Sequence, residues 1–487
     1  MLRLHYACYS RLLFGVGFLL VAFAEGDLDD PSTETCASDQ CSGHADQHYV
    51  KLRFRPGTDP DVQRLQSEVE NSLSQKQLQC RTAAECCFAA LAASRTFREV
   101  FWEQKPFVME TARRGSPGPM KGLWTAAKNA KILRGEALFT DPSIKSRSVH
   151  SFQLEPGKKK ESGLTKEAFS SKLKDATFVQ SGAEGLYDPL AILSRDAERA
   201  FGLPASSNTY ISSLDKDVTA PLHTDRMNSF IIQTEGAKRW RIFDAPPTLR
   251  YPVPDAGVEE LGKHGHMLVL ENVGDMLIDE LLSASTGDVA YLPRGFPHAT
   301  STFDTAQHCK DKKLGRYSTS LTLSLLSESV SLTNDKLLRC LGGIAGECRR
   351  GEQCAEAEAV WSQTKEFPSL RKTLPIGFLN DAGGSEMSQH WVAVMLEQIA
   401  NLTAQMKTTD AYPNTLPSTK KQRAVLTHFY NNFQAAMANG GEGAVRLPTS
   451  EEEEKKRTER LGGLYRSLWP KKCHIFVEPA VVHSQRM

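Results

Sequence analysis

Apolar residues change their spacing twice along the chain. From Asp61 to Arg95 they recur every three or four positions, at Val62, Leu65, Val69 and Leu73 and then at Ala83, Cys87, Ala90 and Leu91. That spacing predicts one or two amphipathic helices over 61–95. From Phe97 to Leu326 the apolar runs shorten and are punctuated by Gly and Pro. SNTYISSL, NSFIIQTEG, AKRWRIF, GDVAYLP and YSTSLTLSLL all read as strands. Many short strands broken by turns predict an all-β barrel or sandwich over about 96–330. Beyond Ser327 the pattern is helical again. Leu337, Leu338, Leu341 and Ile344 share one face, and Trp391, Met395, Ile399, Leu402 and Met406 form a stripe near the 3.6 period within 331–445. Such a stripe predicts helix packing or a subunit contact. In 446–487, Thr449 and Ser450 precede Glu451 to Glu454 and then Lys455, Lys456 and Arg457, as in a capped, exposed helix whose charges match its dipole.

The first residues read differently. Arg3 and Arg11 flank a basic start, and Leu12 to Ala24 is an unbroken apolar run ending in Ala22-Phe23-Ala24 before Glu25. This outline predicts a secretory signal peptide over 1–24, with an organelle presequence or an uncleaved anchor as the alternatives. Residues 25–60 are polar and acidic and predict a mobile segment, in which His44 and His48 are solvated. Of the 11 cysteines, Cys8 would leave with the signal, and the even number that remains is compatible with disulfides in an oxidising lumen. Asn401-Leu402-Thr403 is an acceptor sequon for that pathway. The 59 Lys+Arg against 58 Asp+Glu leave a net charge of +1, so no broad field draws in a nucleic acid. No later apolar run suggests a membrane span once the signal is removed. Nucleophile elbow, phosphate loop and HExxH are all lacking in the 487 residues, which leaves hydrolase and nucleotide-driven chemistry without support.

Candidate chemistry gathers at Pro221-Leu222-His223-Thr224-Asp225 and at His298 in GDVAYLPRGFPHAT. On a strand, residues i and i+2 face one side, so His223 and Asp225 project together. A second histidine, arriving just after the Pro293 to Pro297 turn, completes a two-histidine, one-carboxylate set of the kind that holds non-haem iron(II) with three positions free. An HxD on its own is equally a structural histidine, and the flanking text carries the metal reading. Gly236 marks a hairpin whose return strand puts Lys238, Trp240 and Ile242 on one face. If that face is inward, the lysine requires an anion, because an isolated buried ammonium costs several kcal/mol. A dicarboxylate co-substrate satisfies it. In the last strand Ser318, Ser320, Thr322 and Ser324 share a face that looks either at a ligand or at water, and Asn208 reaches toward the same cavity. His264 and His266 in GKHGHM and the run Lys158 to Lys160 read as solvated loops.

These residues resemble a known family. Phe97 to Leu326 is similar to the JmjC-domain 2-oxoglutarate oxygenases, and within them to the ribosomal-oxygenase branch of cupin-like protein hydroxylases. FREVFWEQKPFVME resembles that branch's opening motif, SSNTYISS its strand before the metal site and HTDRMNSFIIQTEGAKRWRIF its core, followed by GDVAYLPRGFPHAT and STSLTLSL. The resemblance implies an α+β chain with a double-stranded β-helix (cupin, jelly-roll) between helical N- and C-terminal regions. It implies Fe(2+) on His223, Asp225 and His298, with 2-oxoglutarate held through its distal carboxylate by Lys238 and aided by Ser318 and Asn208. It also implies a protein substrate, hydroxylated at His or Arg with molecular oxygen, or demethylated at N-methyl-lysine by the same chemistry. A non-catalytic cupin scaffold is the alternative outside enzymology. A homodimer through the C-terminal helices, where RKTLPIGFL resembles the motif after the barrel, and a nuclear or nucleolar location are further implications. The chain departs from the family at Leu222, where Pro is common, and at Arg226, which replaces a frequent second acid.

Overall fold

Among the described residues, thirteen strands form two antiparallel sheets: β1 (Arg53–Arg55), β2 (Phe107–Glu110), β3 (Val149–Gln153), β4 (Glu161–Ser162), β5 (Ala176–Ser181), β6 (Ala205–Ser213), β7 (Ala220–His223), β8 (Asn228–Glu235), β9 (Ala237–Phe243), β10 (Asn272–Asp279), β11 (Val289–Leu292), β12 (His298–Ser301) and β13 (Tyr317–Leu325). The computed structural model describes residues 53–55, 59–74, 80, 82–110, 149–153, 161–162, 176–185, 188–235, 237–243, 272–279, 289–302, 317–327, 332–345, 367–374, 384–406, 416–440, 468–470 and 473. The nine-stranded sheet runs β1-β2-β11-β8-β13-β6-β5-β3-β4 and the four-stranded sheet β10-β9-β12-β7. From β6 to β13 the chain passes back and forth between the sheets, staying in the smaller one only for the β9–β10 pair. That alternation is the winding of a double-stranded β-helix, the cupin-like fold.

Period-two alternation sorts the large sheet into two faces. Phe107 and Met109, Phe230 and Ile232, and Val289 and Tyr291 join the helical core. Their neighbours Val108, Ile231, Ala290 and Leu292 pack with Trp240, Ile242 and Phe296 from the other side of the barrel. The helical side is built by α1 (Pro60–Ser74), α2 (Ala83–Ala93) and α3 (Asp188–Phe201), then by α4 (Asn334–Ala345), α5 (Pro368–Arg371), α6 (Gly384–Met406) and α7 (Thr419–Gly440). Thr82 caps α2 by accepting from the backbone N–H of Glu85 at 3.0 Å. The stripe Trp391, Met395, Ile399, Leu402 and Met406 is buried in this core, where Trp391 stacks on Phe429 of α7 with ring centroids 5.7 Å apart. It is therefore spent on packing inside the chain, the first of the two roles the sequence allows it.

Two elements differ from the sequence reading. Arg53–Arg55 pairs with β2 as an edge strand, although it lies in the polar stretch 25–60. A helix, α3, interrupts the strand-rich text, its Leu190, Leu193, Ala197 and Phe201 buried at helical spacing. At the end of α3, Gly202 has φ +68°, and a Cβ there would lie 2.4 Å from the ring of Phe433. Gly202→Ala is expected to destabilise the fold by roughly 2–4 kcal/mol through backbone strain and overpacking together, readable as a lower melting temperature.

Disulfides join Cys80 to Cys86 and Cys340 to Cys473. Cys87 is a buried free thiol pushed up to about 12 by burial, which makes it unreactive. Asn401 is exposed on α6. Residues 1–47, Lys158 to Lys160, Gly236, His264, His266, Cys309, Cys348, Cys354 and Thr449 to Arg457 lie outside the described residues. Among the described residues no helix is long and apolar enough to cross a membrane.

Candidate metal centre

Strand pairing delivers the two histidines. β12 lies between β7 and β9, with His298 opposite His223 on one side and Ile242 on the other, and the two imidazole centroids are 4.2 Å apart. Asp225 arrives by a different route from the pleating read in the sequence. β7 ends at His223, and Asp225 lies beyond it, where its backbone carbonyl accepts from the N–H of Gly295 at 2.8 Å. The turn between β11 and β12 thus holds Asp225 in place. Its carboxylate oxygens lie 3.9 Å from His223 Nε2 and 3.6 Å from His298 Nε2, and one donor atom from each of the three residues falls within 4.8 Å of the others.

Hydrogen bonds behind the rings set their tautomers. His223 Nδ1 lies 2.7 Å from the Pro221 carbonyl and His298 Nδ1 2.9 Å from that of Phe296. A carbonyl only accepts, so each ring donates through Nδ1 and turns its Nε2 toward Asp225. Burial, reinforced by the neighbouring His223, pushes His298 down to about 4. It is neutral at ordinary pH, the state in which imidazole binds a metal. Trp240 covers it, with ring centroids 5.5 Å apart. Two imidazoles and a carboxylate suit a divalent first-row ion such as iron(II).

A second polar group lies in the same interior. Lys238 is only 2% exposed, and its ammonium sits 5.8 Å from the ring centroid of Tyr210. Burial pulls it down to about 7. No ion pair to it occurs among the described residues. Tyr210 connects this lysine to the three donors: burial raises its hydroxyl pKa, the Asp225 charge raises it further, and a hydrogen bond from Asn208 works against both. Across the β6–β13 pairing Tyr210 faces Ser320, Asn208 faces Thr322 and Ser212 faces Ser318. Ser318, Ser320, Thr322 and Ser324 are all buried, so this face does not look at water. Ser318 Oγ accepts from Gln233 Nε2 at 2.9 Å, whereas Asn208 Oδ1 and Ser320 Oγ are buried without a partner among the described residues. A buried cation and an unpartnered hydroxyl donor, that of Ser320, in the same interior suit a buried carboxylate, whereas Asn208 Oδ1 can only accept.

Sequence reasoning gave no role to Tyr210 and did not single out Ser320 among Ser318, Thr322 and Ser324. Both were readable from the i, i+2 rule, as Tyr210 shares a face with Asn208 and Ser320 with Ser318.

Residues 193–317 match the family model described as the JmjC domain. The similarity to that domain is confined to this stretch of the chain. The match contains His223, Asp225, Lys238 and His298 and ends one residue before Ser318. The chain is also 29% identical over 236 residues to ribosomal oxygenase 1 of Gallus gallus, covering 45% of this chain and 34% of that protein. It is 24% identical over 251 residues to ribosomal oxygenase 2 of Bos taurus, covering 50% of each. A bifunctional lysine-specific demethylase and histidyl-hydroxylase NO66 of Drosophila yakuba is 29% identical over 134 residues, 27% of this chain and 18% of that protein. The chain therefore spans half or less of these relatives. Among solved structures it is similar to the Escherichia coli ribosomal oxygenase YcfD in complex with cobalt and 2-oxoglutarate, at 14% identity and a TM-score of 0.30, over 61% of this chain and 68% of that one.

Proposed function

We propose that the chain is an iron(II)- and 2-oxoglutarate-dependent oxygenase that hydroxylates a side chain of another protein. The observation that carries this reading is the pairing, within one barrel, of the His223, Asp225 and His298 donors with a buried ammonium that has no ion-pair partner among the described residues. When bound, iron(II) and 2-oxoglutarate supply the oxidation: dioxygen and the keto acid give succinate and carbon dioxide, and one oxygen atom enters a C–H bond of the substrate. The chain's own side chains do the holding. Lys238 grips the distal carboxylate of the keto acid, and the Ser320 hydroxyl donates to it the hydrogen bond it lacks in its absence, with Ser318 set beside it by Gln233, while Asn208 reaches the site through its hydrogen bond to Tyr210. The Pro221 and Phe296 carbonyls, accepting from Nδ1 of His223 and His298, keep both imidazoles aimed, and Trp240 walls off the His298 side from water.

The names of the relatives support a histidine of a ribosomal protein as the target, and equally a methylated lysine, since hydroxylating an N-methyl carbon releases it. Mass spectrometry of candidate proteins incubated with the chain, iron(II) and 2-oxoglutarate distinguishes the two. We expect a gain of one oxygen for hydroxylation and the loss of a methyl group for demethylation. Neither change, together with no succinate, would reject the proposal. The two disulfides support an oxidising compartment, as does the apolar run from Leu12 to Ala24. There the substrate is a protein passing through that lumen. A C-terminally tagged chain found in the nucleus would overturn that assignment and leave the ribosomal one.

A further inference from the structure

We propose that Arg294 and Glu103 act as a buried positioning pair that aims the metal centre, and that residues 371–373 hold the pair in place. This rests on the metal-centre reading above. The turn Pro293 to Pro297 touches two of the three donors through its backbone. Gly295 N–H donates to the Asp225 carbonyl, and the Phe296 carbonyl accepts from His298 Nδ1. Pro297 is tied in turn to β9, its carbonyl accepting from Phe243 N–H at 2.9 Å. Whatever fixes this turn therefore fixes the relative placement of Asp225 and His298.

Arg294 is the side chain that fixes it. It is 1% exposed, and its Nε donates to Glu103 Oε1 at 2.5 Å while its guanidinium also donates to the carbonyl of Arg371. Its backbone N–H donates to Asn228 Oδ1 at 3.2 Å, which also accepts from the Tyr291 hydroxyl, and that hydroxyl accepts from Glu103 N–H. Glu103 is 0% exposed and takes both the N–H and the hydroxyl of Thr373. Residues 372–374 are held by Asn334 and Leu332 at the start of α4. A continuous buried polar path thus runs from the helical C-terminal region to the metal turn.

Two physical points argue for aim over bulk stability. A buried ion pair adds little net stability against an apolar replacement, so its value lies in fixed geometry. Glu103 also sits at φ 58°, a left-handed conformation that a side chain holds only where its surroundings impose it, and such residues gather at functional sites. No aspect of the keto-acid pocket requires either residue.

The test is cobalt(II) binding by the full chain. Arg294→Gln is expected to weaken cobalt binding at least tenfold, in the range seen when groups behind a metal ligand are lost, and to shift the visible absorption of the bound ion. Glu103→Gln/Arg294→Gln strands no charge and is expected to melt closer to wild type while losing cobalt affinity to the same degree. Thr373→Val, at the far end of the path, is expected to weaken binding about threefold, and it reads the coupling if the other variants fail to fold. Gly202→Ala lowers the melting temperature without touching this path, and its cobalt affinity and spectrum should stay unchanged. Folded Arg294 variants with wild-type affinity and spectrum, an unaltered Thr373→Val, or an equal loss in Gly202→Ala would overturn the proposal. A wild-type chain that takes up no cobalt would overturn the metal centre itself, and this inference with it.

Discussion

His298→Ala is expected to abolish succinate formation and to weaken divalent-metal binding by more than about 100-fold, while the barrel stays folded. His298 is the one donor of the three that is almost wholly buried, at 1% exposed, and it lies in register between His223 and Ile242. Its removal leaves one imidazole and one carboxylate, too few to hold a first-row ion against water at working concentrations. The strand itself survives, because β12 is held by its pairing to β7 and β9 and by the Thr219–Thr300 hydroxyl contact at 2.7 Å. Loss of the Trp240 stack removes about 0.5–1.5 kcal/mol, small against the loss of metal. Calorimetric titration with manganese(II), alongside a thermal melt, separates the two effects.

The second large effect concerns Lys238. Lys238→Met is expected to weaken 2-oxoglutarate binding by about 100-fold, the range for removing one side of a buried charge pair, with metal affinity unchanged. The same residue imposes a pH dependence. With no anion bound, burial holds its pKa at about 7, far below the unfolded value. The keto acid binds the charged form, so its affinity falls as pH rises above 7, by about 25-fold between pH 6.5 and pH 8.5 if the bound form stays protonated. Stability of the ligand-free chain moves the other way. Between about 7 and 10 the unfolded chain binds more protons at this residue than the folded chain does, so the Lys238 contribution to the melting temperature rises with pH there. Lys238→Arg keeps its charge throughout and is expected to flatten the affinity profile. An affinity that is flat with pH in the wild type would remove Lys238 from the binding role.

Much of this architecture was legible because the faces of the sheet carry different chemistry. The apolar Leu321, Leu323 and Leu325 alternate with Ser320, Thr322 and Ser324, and both sets are buried, one under helices and one in the barrel interior. Sequence alone left the hydroxyl face open between ligand and water, since alternation gives the two faces but not what covers them. Asp225 shows a different limit. The i, i+2 argument placed it beside His223, yet the strand stops at His223 and a backbone hydrogen bond from the distant Gly295 completes the placement. Local periodicity contains no term for such a contact. The pairing of Glu103 with Arg294 was invisible for the same reason: one lies in the stretch FREVFWEQKPFVME and the other in the turn Pro293 to Pro297, and only the fold brings them together from positions 191 residues apart. The helix α3 was missed although Leu190, Leu193, Ala197 and Phe201 keep its period, because the surrounding text is strand-rich.

The central claim is that one divalent ion on His223, Asp225 and His298 and one keto-diacid on Lys238 share a single site. Calorimetric titration of the full chain with 2-oxoglutarate, with and without one equivalent of manganese(II), tests it most directly. The account predicts one equivalent of 2-oxoglutarate bound at pH 7, tightened by the metal, and losing that tightening in His298→Ala. Binding that ignores the metal, or no binding in either condition, would contradict it.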